Sequence, residues 1–485
     1  MKASTEKRRG FPSGTWLWLT VAWIALAAWA RPGYTADPGR PLVLGIQDDQ
    51  AGTQELAREY GMQPAASTTL TFANGNTGFR LEQNVQYQDV YINVPKTLTA
   101  DQLIQLLFMS ETARTGFARR VILASSIPLS EVKVVGSGSP IPLDLAPLFR
   151  AAGAEYVAKS GEDTLAPKAL PPSPLNEIKD AGDGLVLQQG HPDLAQALAR
   201  KMSLPLMDNA SSDGIHGRQI YLVGGFGPPA NEHLLRTISL AQRLTSHGNQ
   251  VHLVTPYLPY ARSDKIDQPG VAVLGSLVIR MLRASGAQAM TMVRPHAPQS
   301  QGFFEGPSFH LSGRPTLLKY LKDKNISVVI SPDAGFQKDA DNYAHDLHVE
   351  DVAVVNKERE KGSGQDVNMR GGTNGDKIKG KNVVITDDEI GSGKTLAQAA
   401  EWAHANGANE VYVVASHLTG TAEAALASPY IKEIVVLDTL PFAIQHPKLK
   451  VMSVADEVGG ALRELEEARR KTLGSCFALA RVAAH

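Results

Sequence analysis

The residues with the clearest chemical purpose lie in KNVVITDDEIGSGKTL, which begins at Lys381. An apolar, β-branched run reads as a buried strand ending in the acids Asp387 and Asp388. A tight turn follows through Gly391, Ser392, Gly393 and Lys394, and a helix opens at about Thr395. Glycines let backbone amides converge on an anion, Ser and Thr hydroxyls add donors, and a helix start contributes the positive end of its dipole. Two carboxylates just ahead of such a cradle suit the vicinal hydroxyls of a sugar, so the segment predicts a pentose phosphate site. Gly393-Lys394-Thr395 imitates the end of a nucleotide P-loop, but that motif needs glycine where Asp388 stands.

A cradle of this kind has to be held at the end of a strand, and the chain supplies strands in series. Short β-branched runs alternate with helical patterns: IYLVGG at 220, NQVHLVTPY at 249, ISVVISPD at 326, EVYVVASH at 410 and EIVVLDTLP at 433. Such alternation means βαβ units on a parallel sheet, where ligands bind at the carboxyl ends of strands. Several candidate groups follow these runs. His296 is a single histidine that has a purely structural reading as well as a metal-ligating one. Asp333 stands where a helix N-cap belongs. Lys357 and Arg359 alternate with Glu358 and Glu360, as an ordinary solvated charge cluster also would.

Composition narrows the partner. The 485 residues predict about three domains. With 48 Lys and Arg against 49 Asp and Glu, there is no basic excess to drive nucleic-acid binding, and a small molecule is the expected ligand. At 43% hydrophobic and 20% charged, the chain can build several packed cores. Its one cysteine, Cys476, excludes an internal disulfide and a Cys-based metal site. The N-terminus is a separate matter. Lys7, Arg8 and Arg9 precede an uncharged stretch from Trp16 to Ala30, closed by Ala28-Trp29-Ala30, which reads as an export signal over residues 1–30. A retained membrane anchor is the alternative, as is a cytoplasmic protein with a mis-assigned start.

The chain also repeats itself. ELAREYGMQ from Glu55 resembles ALARKMSLP from Ala197, and PLFRAAGAEYV from Pro147 resembles RMLRASGAQAM from Arg280. Between the copies lies a stretch with Pro167, Pro171, Pro172 and Pro174 that reads as a linker. The expected organisation is a first copy at 41–158, a linker at 159–184, a second copy at 185–306, a C-terminal domain at 307–465 and a tail at 466–485.

From Gly190 to about Leu465 the chain resembles the ribose-phosphate pyrophosphokinase family. Five further motifs carry the likeness beside the acid-and-glycine loop: GRQIYLVGGFGPPANEHLL from Gly217, TPYLPYARSDKID from Thr255, RPHAPQSQGFFEG from Arg294, ISPDAG from Ile330 and NKERE from Asn356. The resemblance implies an α/β fold of tandem phosphoribosyltransferase-like domains, each a mostly parallel sheet flanked by helices. It also implies Mg²⁺-dependent transfer of diphosphate from ATP to ribose 5-phosphate, giving phosphoribosyl pyrophosphate and AMP. On that likeness Lys357 and Arg359 are catalytic, at the start of a lid over Lys361 to Gly375. His296 and Asp333 hold Mg²⁺, and Arg262 and Ser263 meet ATP. Asp387, Asp388, Gly391, Ser392, Gly393, Lys394 and Thr395 hold ribose 5-phosphate. Family members are homo-oligomers, an assembly that the extra fused copy could alter or cap.

The departures from the family pattern matter as much. Gly391 replaces an acid, Lys394 a glycine, Ser263 a glutamine and Phe336 a glycine. The Phe-x-Asp-Gly-Glu segment that clasps adenine from a neighbouring subunit is reduced in the second copy to Ser212-Asp213-Gly214, whereas the first copy keeps Phe72-Ala73-Asn74-Gly75-Asn76. Phe72, Asn74 and Asn76 are therefore expected to supply that clasp within one chain. Two other functions compete: a phosphoribosyltransferase-like enzyme that uses no ATP, and a catalytically weak ribose-phosphate-binding regulator. An exported protein would meet little ATP, which sets the location against the activity.

Overall fold

The computed structural model describes residues 41–71, 77–83, 85–158, 184–207, 214–266, 270–359, 367–441 and 443–467. The expected export signal, the Pro-rich linker apart from Gly184, the clasp residues Phe72, Asn74 and Asn76, and the tail beyond residue 467 lie outside them. Among the described residues no helix is long and apolar enough to cross a membrane.

The first copy is built from β1 (Leu42–Leu44), α1 (Gln50–Glu59), β2 (Gln63–Pro64), β3 (Ser67–Thr71), β4 (Thr77–Leu81), β5 (Asp89–Val94), β6 (Thr97–Thr99), α2 (Ala100–Thr115), β7 (Arg120–Ser125), β8 (Lys133–Val135), α3 (Leu145–Ala151) and β9 (Tyr156–Ala158). Its main sheet runs β2-β1-β5-β7-β9, all parallel, and β3 and β4 form a separate antiparallel hairpin. The second copy repeats the plan with β10 (Leu185–Gln189), α4 (Pro192–Met202), β11 (Leu206–Met207), β12 (Gln219–Gly224), α5 (Ala230–Ser246), β13 (Gln250–Thr255), α6 (Leu274–Ala284), β14 (Ala289–Val293) and β15 (Ser308–Leu311). That sheet runs β11-β10-β12-β13-β14-β15, again parallel. Because β15 pairs with β14, the second copy closes at Leu311 and not at the expected boundary of 306. Its four residues, SFHL, are too short and too mixed to announce a strand.

The C-terminal domain comprises α7 (Arg314–Leu321), β16 (Ile326–Ser331), α8 (Gln337–Leu347), β17 (Asp351–Arg359), β18 (Val367–Thr373), β19 (Asn382–Ile390), α9 (Lys394–Ala405), β20 (Glu410–Leu418), α10 (Glu423–Ala427), β21 (Glu433–Leu437) and β22 (Leu449–Met452). A last helix, α11, covers 455–467. The sheet order is β18-β17-β16-β19-β20-β21-β22, parallel except for the β17/β18 pair. Two expectations change here. Half of the stretch expected as a lid is the strand β18, and α11 crosses the expected tail boundary at 465. Buried Glu466 accepts a hydrogen bond from the Tyr221 hydroxyl of the second copy at 2.8 Å.

The two-residue alternation of strands explains how the three units share cores. Leu185, Leu187, Ile220, Leu222, Val251 and Leu253 send their side chains into a cluster with the first copy, while Val186, Tyr221, Val223 and Val254 join one with the C-terminal domain. Between the copies, α2 packs on α5 and α3 on α6. These are equivalent helices of the repeat, so like meets like as in an isologous dimer. α2 accordingly has no polar face: Leu103, Ile104, Leu106, Leu107, Phe108 and Met109 are all buried.

Candidate functional site

The cradle is made by the junction of β19 and α9. β19 does not end at the acids, as expected, but continues to Ile390, paired with β20 through Glu389↔His417 and Ile390↔Leu418. Ile385 and Ile390 both enter one apolar cluster although they are an odd number of residues apart. The β19/β20 register runs unbroken through the acidic triplet Asp387-Asp388-Glu389, and Ile390 packs with its partner Leu418 at the strand ends. The turn beyond is clamped from below: Ala422 N donates to Gly391 O at 2.8 Å and Ala424 N to Ser392 O at 3.0 Å. Gly393 closes it in a left-handed conformation, φ +76°, where an added Cβ would stand 2.6 Å from Ala425 Cβ. No side chain caps α9, so its first-turn amides are available to an anion beside the exposed Ser392 and Lys394.

Against this strand lies His296, in the loop after β14 of the second copy. Its Nδ1 is bound to Asp388 Oδ2 across the domain boundary. The Asp388 carboxylate pushes the imidazole up, against burial and against the charge of Arg262. Burial pushes Asp388 up in turn, but the His296 hydrogen bond and charge, helped by Asp387, hold it well below the usual carboxylate range. Arg262 and Asp264, on the loop after β13, are thus close enough to act on the same charge. Two expected site residues, His296 and Asp388, meet from two domains, and the charge of a third, Arg262, is felt at His296.

Several groups in this corner went unread in the sequence. Glu389 accepts from Thr419 Oγ1 at 2.7 Å, and burial pushes its carboxyl up. His417, at the end of β20, faces the Arg294 carbonyl through Nε2 at 3.0 Å and Thr439 Oγ1 through Nδ1 at 2.8 Å. Burial holds it down at about 4, so it is neutral, and because a carbonyl only accepts, Nε2 carries the proton. Arg294 itself pairs with Asp339 at 2.8 Å. The third acid of the triplet and a histidine closing a buried strand were the available signals.

The other expected residues divide. Asp333 is an N-cap: its Oδ1 accepts from Phe336 N at 3.1 Å. Lys357 and Arg359 lie in β17, opposite Met369 and Val367 of β18. Ser263, expected to meet ATP, spends its hydroxyl within its own loop, donating to Ala272 O at 3.1 Å and accepting from Leu274 N at 3.4 Å. A serine side chain is short enough to close a turn where a longer amide would reach outward. Among the described residues no group of three or more His, Cys, Asp or Glu could hold a metal ion. His296 nevertheless suits one. With Nδ1 taken by Asp388, Nε2 is the nitrogen left for an ion, and a carboxylate behind an imidazole is the usual support for a metal-bound histidine.

Two family models match the chain. One, described as the N-terminal domain of ribose phosphate pyrophosphokinase, matches twice, over residues 42–127 and 185–286. The other, described as a phosphoribosyl synthetase-associated domain, matches residues 372–472. The ribose-phosphate pyrophosphokinase of Helicobacter hepaticus is 32% identical over 259 residues, 52% of this chain and 82% of its own length. That of Gloeobacter violaceus is 30% identical over 323 residues, 62% and 96% of the two chains. The crystal structure of phosphoribosylpyrophosphate synthetase from Mycobacterium smegmatis aligns with a TM-score of 0.53 at 25% identity, over 59% of this chain and 100% of that one.

Proposed function

This chain belongs to the ribose-phosphate pyrophosphokinase family, and on that premise we propose that it transfers diphosphate from ATP to the anomeric hydroxyl of ribose 5-phosphate. The hydroxyl oxygen bonds to the β-phosphorus, and the bond from that phosphorus to the bridging oxygen breaks. AMP leaves with the bridging oxygen, and the hydroxyl proton is released. What supports the reading is the convergence of an uncapped helix start, an acidic strand end and the Arg262 loop at one corner.

Such a transfer is catalysed by positioning and by neutralising charge. The amides and hydroxyls of Gly391, Ser392, Gly393, Lys394 and Thr395 would hold the 5-phosphate, and Asp387 and Asp388 would accept from the sugar hydroxyls. Arg262 would meet ATP. Lys357 and Arg359, on the β17/β18 arm, would close over the phosphates and exclude water. A Mg²⁺ ion, which asks a protein for only one or two ligands, would be held by His296 and Asp333 and would offset phosphate charge. Residues 72–76 join β3 to β4, and Leu81 N at the base of that hairpin donates to Gly270 O at 3.0 Å, on the loop that carries Arg262. This contact docks the base of the hairpin on that loop, and an adenine clasp from Phe72, Asn74 and Asn76 in the same chain is part of the proposal. Export over residues 1–30 belongs to the same proposal and is checked by cell fractionation.

The test is formation of AMP and phosphoribosyl pyrophosphate from both substrates with Mg²⁺. Replacing Lys357 and Arg359 together by Ala should abolish turnover and leave calorimetric binding of ribose 5-phosphate intact. Unchanged turnover refutes their role. A second reading, a ribose-phosphate-binding homologue without ATP chemistry, is favoured by the self-satisfied hydroxyl of Ser263. Ribose 5-phosphate binding with no AMP from the native chain would select it.

A further inference from the structure

Tyr260 stands two residues before Arg262 with φ +64°. A bulky aromatic in this left-handed region costs on the order of 1–2 kcal/mol and persists only where its surroundings over-determine it. Part of what holds it comes from its own copy, where its carbonyl accepts from Ser263 N at 2.9 Å, and part from the first copy. The Tyr260 hydroxyl donates to Asn231 Oδ1 at 2.6 Å, and Asn231 Nδ2 donates to Asp101 Oδ1 at 2.7 Å. A carboxylate can only accept, so Asp101 fixes which end of the Asn231 amide faces the tyrosine. The Tyr260 ring meets Phe108 edge-on, centroids 4.9 Å apart at 84°. Asp101 and Phe108 both belong to α2, while Asn231 and Tyr260 are in the second copy and, with Phe108, are almost wholly buried.

The far end of the same loop is tethered as well. Gly270, φ +78°, gives its carbonyl to Leu81 N, and a Cβ there would run into the Leu81 backbone. The loop bearing Arg262 thus meets the first copy at both ends. We propose that the first copy is a positioning domain in cis, with Asp101 acting through Asn231 and Tyr260 to set where Arg262 meets ATP. This rests on the ATP-dependent reading given above.

The test uses the full chain with Asp101→Ala and Asp101→Asn. Asp101 itself is exposed, so losing its screened, charge-assisted hydrogen bond to the buried Asn231–Tyr260 pair should raise the KM for ATP about fivefold, with the KM for ribose 5-phosphate and kcat within about twofold. Asp101→Asn retains an acceptor oxygen and should restore the KM for ATP. Amide hydrogen exchange over residues 261–266 should quicken in Asp101→Ala and return in Asp101→Asn. An unchanged KM for ATP, or equal rises for both substrates, overturns the proposal. If the native chain makes no AMP, the ATP reading fails by itself, and exchange alone decides the relay: quickened exchange confined to the loop upholds it, and unchanged exchange overturns it.

Discussion

Replacing Asp388 by Asn tests whether the acid and the histidine facing it act as one charged pair. The Asp388 side chain is 11% exposed and that of His296 35%. A desolvated charged hydrogen bond is worth about 1.5–3 kcal/mol; with the imidazole more than a third in water, screening reduces this to about 1–2 kcal/mol. The sign with pH follows from both partners. His296 is raised above its ordinary 6.5, so its contribution is complete below 6.5 and is lost as pH rises through the raised value. Asp388 is lowered from its ordinary 3.8, so its contribution is present above 3.8 and is lost as pH falls through the lowered value. The stability gap between native protein and Asp388→Asn should therefore be widest between these limits and narrow as the medium turns alkaline. Urea midpoints at about pH 5.5 and about pH 9 measure the gap, and imidazole proton NMR measures the His296 titration directly. In the variant that titration should fall, since burial and Arg262 remain to press it down. An unmoved His296 midpoint, or a gap that widens with pH, would refute the pairing.

Two other substitutions probe the ligand-facing loops. Gly393→Ala forces a side chain into a left-handed turn against Ala425, a strain of about 1–3 kcal/mol, and should weaken ribose 5-phosphate at least about tenfold by calorimetry; affinity within about twofold of native would remove the phosphate from this turn. Phe72→Ala should raise the KM for ATP several-fold in an active preparation, and an unchanged value ends the case for a clasp from the first copy.

The cradle was legible because everything that makes it is local. A β-branched strand, a Gly-Ser-Gly turn and a helix start follow one another directly, and each preference acts on its own few residues. The repeat was legible for a similar reason: Gly153 and Gly286, which align it, both take positive φ just past equivalent helices. The His296–Asp388 pair was not, because its members are 92 positions apart and meet only when two domains dock. Both residues were marked, each with a different task. β18 was obscured by its glycines and asparagine, which read as a loop until β17 lies alongside as an antiparallel partner.

The duplication also shows how the two copies hold each other in place. Glu111 of α2 is 1% exposed and is paired with Arg114 of its own helix and with Arg280 of the second copy, each at under 3 Å. A buried carboxylate left without such a partner costs several kcal/mol, so the two copies are held in one register as well as held together. Around that pair, apolar residues of α2 and α3 share one cluster with those of α5 and α6. Without the first copy, the second would expose the face formed by α5 and α6, at about 1.5–3 kcal/mol for each large side chain returned to water. The interface helices of the first copy are therefore held by packing and by this ion pair together. Tyr260 joins this interface to the site: its ring is packed by the interface, and its backbone carries the loop that reaches the site.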